Sequence, residues 1–352
     1  MMKAAILYND KDIRPGNAPE PEIGPDEVLV RSGYAGICGT DLHVYRGEFK
    51  GRVTYPAILG HEFGGVIEAV GKAVRGYKVG DRVCVDPILS CHRCPACLDG
   101  HINACTTLKL LGIDLPGGFG QYVAVPTDRL VPLPEDIPMP YAPMVELYGI
   151  GHHILRRGAV QPGESVVILG AGKVGLSTLD VLCHSAGPAL SIITDVHPAR
   201  LAVAKKLGAD VTIAIAEEDP VARVMDVTRG AGADVVIEAI GHYHEIPGQG
   251  APLNQAVQMV RNGGRIVTVG LGEQLSPVHF KTLVFKEIAL IGSRVTLGEF
   301  PRAIRLMAKG LLHPDLLVTH QMPMRDVAAA FAKVDAEEPE TLKIVLSQDY
   351  GP

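Results

Sequence analysis

At 352 residues the chain exceeds what one hydrophobic core commonly supports, and its 47% hydrophobic and 20% charged composition is that of a globular protein. Two domains with a small-molecule cleft between them are therefore expected. The formal net charge of −6 provides no basic field for nucleic acid, and no apolar run reaches bilayer-spanning length.

The N-terminal residues lack a secretory h-region and cleavage site, which points to a cytoplasmic chain with neither a membrane nor a nucleic-acid partner. In that compartment seven cysteines are poor disulfide candidates, so metal binding is the better reading of the four between 91 and 105.

The first third reads as short strands broken by Gly and Pro, at 4–7, 27–32, 65–70, 82–85 and 120–125, forming a small β-rich domain. From about Leu147 strands alternate with helices, as a doubly wound α/β unit requires. The strands are expected at 165–169, 190–194, 211–215, 234–239, 265–269 and 288–291, with 174–186 and 198–207 as crossover helices. Their continuous apolar character suits a six-stranded parallel sheet buried on both faces. After Ser293 come a helix at 300–309 and strands at 318–322 and 342–346, expected to return to the first domain. The expected domains are thus 1–146 with 294–352, and 147–293.

Strand 165–169 runs into Gly170-Ala171-Gly172-Lys173-Val174-Gly175 and then a helix, the context in which GxGxxG signifies dinucleotide binding. Gly170 permits the turn, Gly172 lets backbone approach a pyrophosphate, and Gly175 lets helix and strand pack closely. The helix N-terminus offers free N–H groups to the phosphates. Asp195 closes the second strand, where a carboxylate bonds both adenosine ribose hydroxyls and repels a 2′-phosphate, favouring NAD over NADP. His197 and Arg200 are close enough in sequence to soften that preference.

Cys91, Cys94, Cys97 and Cys105 follow C-x2-C-x2-C-x7-C in a turn-rich segment. Four thiolates so spaced close a tetrahedral shell, which suits a structural Zn²⁺; His92 and His101 are then bystanders. A second set is dispersed: Cys38 with Thr40 and His43, then His61 with Glu62, then Glu146. Thiolate, imidazole and carboxylate leave room on a catalytic zinc for water or substrate.

Taken together, Gly36-Ile37-Cys38-Gly39-Thr40-Asp41-Leu42-His43, Gly60-His61-Glu62-Phe63-Gly64-Gly65, the four-cysteine lobe and the GxGxxG strand resemble the zinc-containing medium-chain dehydrogenase/reductase family, end to end. Glu146, His153, Arg156-Arg157-Gly158, Val269-Gly270-Leu271-Gly272 and Leu317-Val318-Thr319-His320 are similar to its sorbitol (polyol), threonine and butanediol dehydrogenase branch. The resemblance implies a GroES-like β-rich catalytic domain and a Rossmann NAD-binding domain. It implies Cys38 and His61 as ligands of the catalytic zinc, Glu62 direct or exchangeable, and Glu146 bound directly or through water. It also implies a cofactor site around Gly170, Gly172, Val174, Gly175, Asp195, Arg200 and Leu271. Polyol enzymes usually carry Pro after the glutamate at 146, where Leu147 stands here. Tyr45 and Phe119 would line the substrate cleft or simply be core. Arg294 falls one residue before the arginine of polyol dehydrogenases, where Val295 stands.

The expected activity is NAD-linked oxidation of a secondary alcohol of the polyol class to the ketone, with one catalytic and one structural zinc. The ion lowers the pKa of the alcohol, Thr40 accepts the proton and passes it through the nicotinamide ribose to His43, and hydride leaves carbon for nicotinamide. The alternatives are a threonine-3-dehydrogenase-like amino-alcohol oxidoreductase and a non-catalytic NAD-binding protein. The last sheet strand resembles the edge through which family members pair, implying a homodimer or homotetramer.

Overall fold

Apolar at nearly every position, Ser165–Leu169 has no face suited to water, and it lies inside a six-stranded sheet. In sheet order the strands are Val211–Ala214, Leu190–Asp195, Ser165–Leu169, Ala233–Glu238, Val260–Thr268 and Ala289–Gly292. Every neighbouring pair is parallel. Numbered along the chain, the order is 3-2-1-4-5-6, that of a Rossmann sheet. Val167, Leu169, Ile192, Ile213, Val236, Val257 and Ile266 share one buried core.

This computed structural model describes residues 1–49, 51–241, 250–272 and 276–351. The sheet belongs to a unit comprising Tyr148–Glu299 and Leu311–His313; Met1–Leu147, Phe300–Gly310 and Pro314–Pro352 form the other. The segment 294–299, read from sequence as the start of the return, here belongs with the Rossmann unit. The buried Glu299 carboxylate anchors it, with Oε1 3.0 Å from His153 Nδ1 and 2.6 Å from Arg156 Nη2.

In the other unit, a seven-stranded sheet is built around Glu27–Gly36, which pairs antiparallel with Glu62–Val70, Tyr122–Pro126 and the C-terminal strand Lys343–Ser347. A separate antiparallel ribbon joins Met2–Asn9 to Asp12–Ala18. The second of these strands escapes the sequence reading because Pro15 and Gly16 mark it as a turn; an edge strand tolerates both, since one side of its ladder is open. A further difference lies at 174–186, expected as one helix. Lys173–Val181 is α-helical and Leu182–Ala186 forms a π turn.

Two glycines, one in the loop and one in the helix that follows, are structurally required. Gly170 holds φ +97°, and a Cβ on Gly175 would stand 1.8 Å from the Gly170 carbonyl oxygen. By contrast, a Cβ on Gly172 meets nothing within 4 Å. Gly175→Ala is expected to destabilise the fold by about 1–3 kcal/mol, read as a lowered Tm. Gly172→Ala should leave Tm unchanged and weaken NADH binding in a fluorescence titration.

Candidate active site

The antiparallel register places Gly36 opposite Glu62, so the residues just beyond that pair converge. Cys38 N-caps the helix Gly39–Tyr45, and Asp41 in its first turn bends back over the cap. The fully buried Asp41 accepts the Cys38 N–H through Oδ2 at 2.8 Å and the Gly60 N–H through Oδ1 at 3.3 Å. Asp41 Oδ1 also lies 3.4 Å from His61 Nδ1. One carboxylate therefore positions both the cysteine and histidine segments, the arrangement that orients an imidazole toward a metal. Burial opposes a charged His61, but Asp41 and Cys38 outweigh it and raise its pKa well above the ordinary histidine value.

Ligand atoms of Cys38, His61 and Glu62 all lie within 4.8 Å of one another. Glu62, however, is already engaged. Its Oε2 and Oε1 accept from Lys343 Nζ at 2.6 and 2.8 Å, and both side chains are completely buried. Burial alone would lower the Lys343 pKa, yet the Glu62 carboxylate outweighs it and raises that pKa. Glu146 opens the helix Met144–Arg157 and is buried outside the three-residue group, with Oε2 lacking a hydrogen-bond partner among the described residues. Burial and the nearby Glu62 charge push its carboxyl up to about 8. A cation beside Glu146 would reverse that penalty.

Thr40 Oγ1 lies 4.0 Å from Cys38 Sγ. His43 is about a quarter exposed, its Nδ1 paired with Glu48 Oε2 and its ring edge-on to Phe49. Tyr45 and Phe119 are core: both are buried and pack against Phe331, with ring centroids 4.9 and 6.1 Å away. Val295 adopts φ +44°, left-handed backbone that a β-branched residue rarely occupies.

The sulfurs of Cys91, Cys94, Cys97 and Cys105 form a second compact group. Backbone N–H groups point at them, Cys94 N at Cys91 Sγ and Cys91 N at Cys105 Sγ, each at 3.3 Å. N–H groups of Thr106 and Cys97 hold the Cys94 thiol down at about 6, while burial and neighbouring sulfurs push Cys97 up to about 12. Crowded ionisable sulfurs with donors aimed at them fit Zn²⁺; His92 and His101 stay outside the group.

In the Rossmann unit, Gly172 caps the helix Lys173–Val181 without a side chain, and a Cβ there would meet no described atom within 4 Å. Asp195 Oδ2 accepts the Ala171 N–H at 2.7 Å and Oδ1 the His197 N–H at 2.8 Å. The carboxylate thus holds the glycine loop as well as charging its rim. Arg200 sits in the first turn of Pro198–Lys206, and the exposed Leu271 follows Val260–Thr268. These features fit a dinucleotide. Sequence reasoning missed the roles of Asp41 and Lys343. A lone lysine in the apolar terminal strand was the available signal for the second.

Residues 24–135 match the alcohol dehydrogenase GroES-like domain, and residues 174–309 the zinc-binding dehydrogenase domain. The chain is 35% identical over 349 residues to sorbitol dehydrogenase of Bacillus subtilis (98% of this chain, 97% of that one). It is 36% identical over 339 residues to L-threonine 3-dehydrogenase of Symbiobacterium thermophilum (94% and 93%). The crystal structure of the rspB alcohol dehydrogenase of Escherichia coli CFT073 with NADH superposes with a TM-score of 0.90 at 32% identity, covering 98% and 99% of the two chains.

Two outcomes test these arrangements. Lys343→Met leaves a buried carboxylate unpaired and should cost about 3–5 kcal/mol in urea unfolding, with Glu62→Gln in the same chain recovering most of it. Cys94→Ser should lower the zinc content per chain by elemental analysis.

Proposed function

Because the chain belongs to the zinc-dependent alcohol dehydrogenases of the medium-chain family, we propose that this oxidoreductase converts a secondary alcohol of the polyol class to its ketone with NAD. The observation that carries the proposal is the convergence of Cys38, His61 and Glu62 beside the partnerless oxygen of Glu146. Cys38 and His61 would hold the catalytic zinc, Glu62 would exchange between it and Lys343, and Glu146 would reach it directly or through water. When bound, the ion supplies Lewis acidity toward an alcohol hydroxyl, and the nicotinamide supplies the hydride acceptor.

The chain's own groups perform the rest. Asp41 keeps His61 and Cys38 in register, and Lys343 neutralises Glu62, so a neutral substrate meets no uncompensated carboxylate there. The Thr40 hydroxyl, which both donates and accepts, takes the substrate proton and hands it on toward His43. His43 suits release to solvent, since it is part-exposed and paired to Glu48. Asp195 favours NAD through its negative charge at the loop rim.

A second reading, oxidation of the L-threonine hydroxyl, draws support from the similarity to the Symbiobacterium enzyme. The proposal extends to a homodimer or homotetramer paired through Ala289–Gly292, an edge strand with three of its four residues exposed.

Sorbitol, xylitol, 2,3-butanediol and L-threonine, each assayed with NAD and NADP by absorbance, separate the readings. Polyol turnover with NAD is expected, and turnover confined to L-threonine would replace it. Cys38→Ser should abolish turnover while NADH still binds, and Thr40→Ala should lower kcat by about 100-fold or more with NADH affinity intact.

A further inference from the structure

Apart from the two zinc candidates, Asp180, His184 and His313 bring a third set of ligand atoms within 4.8 Å of one another. Asp180 lies in the helix Lys173–Val181, and His184 in the π turn Leu182–Ala186 that follows; such turns are frequent at functional sites. His313 comes from the short segment Leu311–His313 of the same unit.

The Asp180 carboxylate is fully buried and held from one side. Oδ2 accepts the Tyr148 hydroxyl at 2.8 Å and the His313 backbone N–H at 2.7 Å. Oδ1 then faces two imidazoles, with His184 Nδ1 and His313 Nδ1 each 3.0 Å away. The ring centroids are 4.9 Å apart, and His184 Nδ1 is also 2.9 Å from the Asp180 carbonyl oxygen. Ligands that each sit about 2.0–2.1 Å from a shared ion stand roughly 3–3.5 Å from one another, and each Nδ1 lies at such a distance from Oδ1 here. The Tyr148 and backbone bonds act as the outer contacts that fix a ligating carboxylate. His184 and His313 are 28% and 35% exposed, which gives an ion and its waters access.

We propose that Asp180, His184 and His313 bind one divalent transition ion of the zinc type, with water completing its shell. Two imidazoles and one carboxylate are the donor set such ions prefer. In the bound form each Nδ1 presents its lone pair and the ring proton moves to Nε2. The ion clasps the end of the helix to the 311–313 segment, a role separate from the alcohol chemistry.

The competing account is that each Nδ1–H simply donates to Asp180. His184→Asn and His313→Asn discriminate, because the asparagine amide can donate in place of Nδ1–H but is a poor ligand for a transition ion. Wild type and both variants, each carrying its resident zinc, are dialysed against Zn²⁺ and analysed for metal per chain. Thermal melts with and without added Zn²⁺ follow. The wild type should retain one ion more than either variant and gain in Tm with Zn²⁺. Both variants should lose that gain and bind the extra ion more weakly by about tenfold or more, while keeping the wild-type Tm without added Zn²⁺. Equal metal counts and equal Tm responses in all three proteins would overturn the proposal.

Discussion

The candidate active site depends on the removal of charge from water. Asp41, Glu62 and Glu146 are buried, with the part-buried Cys38 beside His61 and with Lys343 paired to Glu62. Taking a carboxylate out of water costs several kcal/mol even after relaxation, so each acid needs a partner. Glu62 has Lys343, and Asp41 has backbone N–H groups and His61. Glu146 Oε2 has no hydrogen-bond partner among the described residues, and burial first, then the Glu62 charge, raises its pKa. A cation placed beside Glu146 would favour its ionised form.

Local information was legible in the sequence and distant information was not. The four-cysteine lobe spans 15 residues, so spacing alone specified it. The six Rossmann strands were legible because parallel strands covered on both faces must be apolar throughout. The glycine loop could be placed because strand, loop and helix are contiguous. The Glu62–Lys343 pair joins residues 281 apart, and nothing near either one names the other. Asp41 stood inside a quoted motif, but its grip on Gly60 and His61 exists only once the sheet has formed. The edge strand Asp12–Ala18 was obscured by residues that normally end strands, and the π turn by a helical pattern that runs through it.

In the proposed NAD site, Asp195 would serve fold and ligand together. Its two backbone hydrogen bonds pin the loop around Ala171 and the approach to the next helix, so its orientation is set before any ribose arrives. Binding then carries little cost for ordering that carboxylate, the benefit of preorganisation. Removing it would disturb loop geometry as well as cofactor choice, two effects that a change in coenzyme preference alone would confuse.

Lys343 lies in the last strand of a chain synthesised from its N-terminus, while Glu62 is made early. The carboxylate of Glu62 gains its counter-charge only when Lys343–Ser347 docks beside Glu27–Gly36. Loss of Lys343–Ser347 would therefore remove a counter-charge as well as a strand, so that one segment serves both the sheet and the electrostatics.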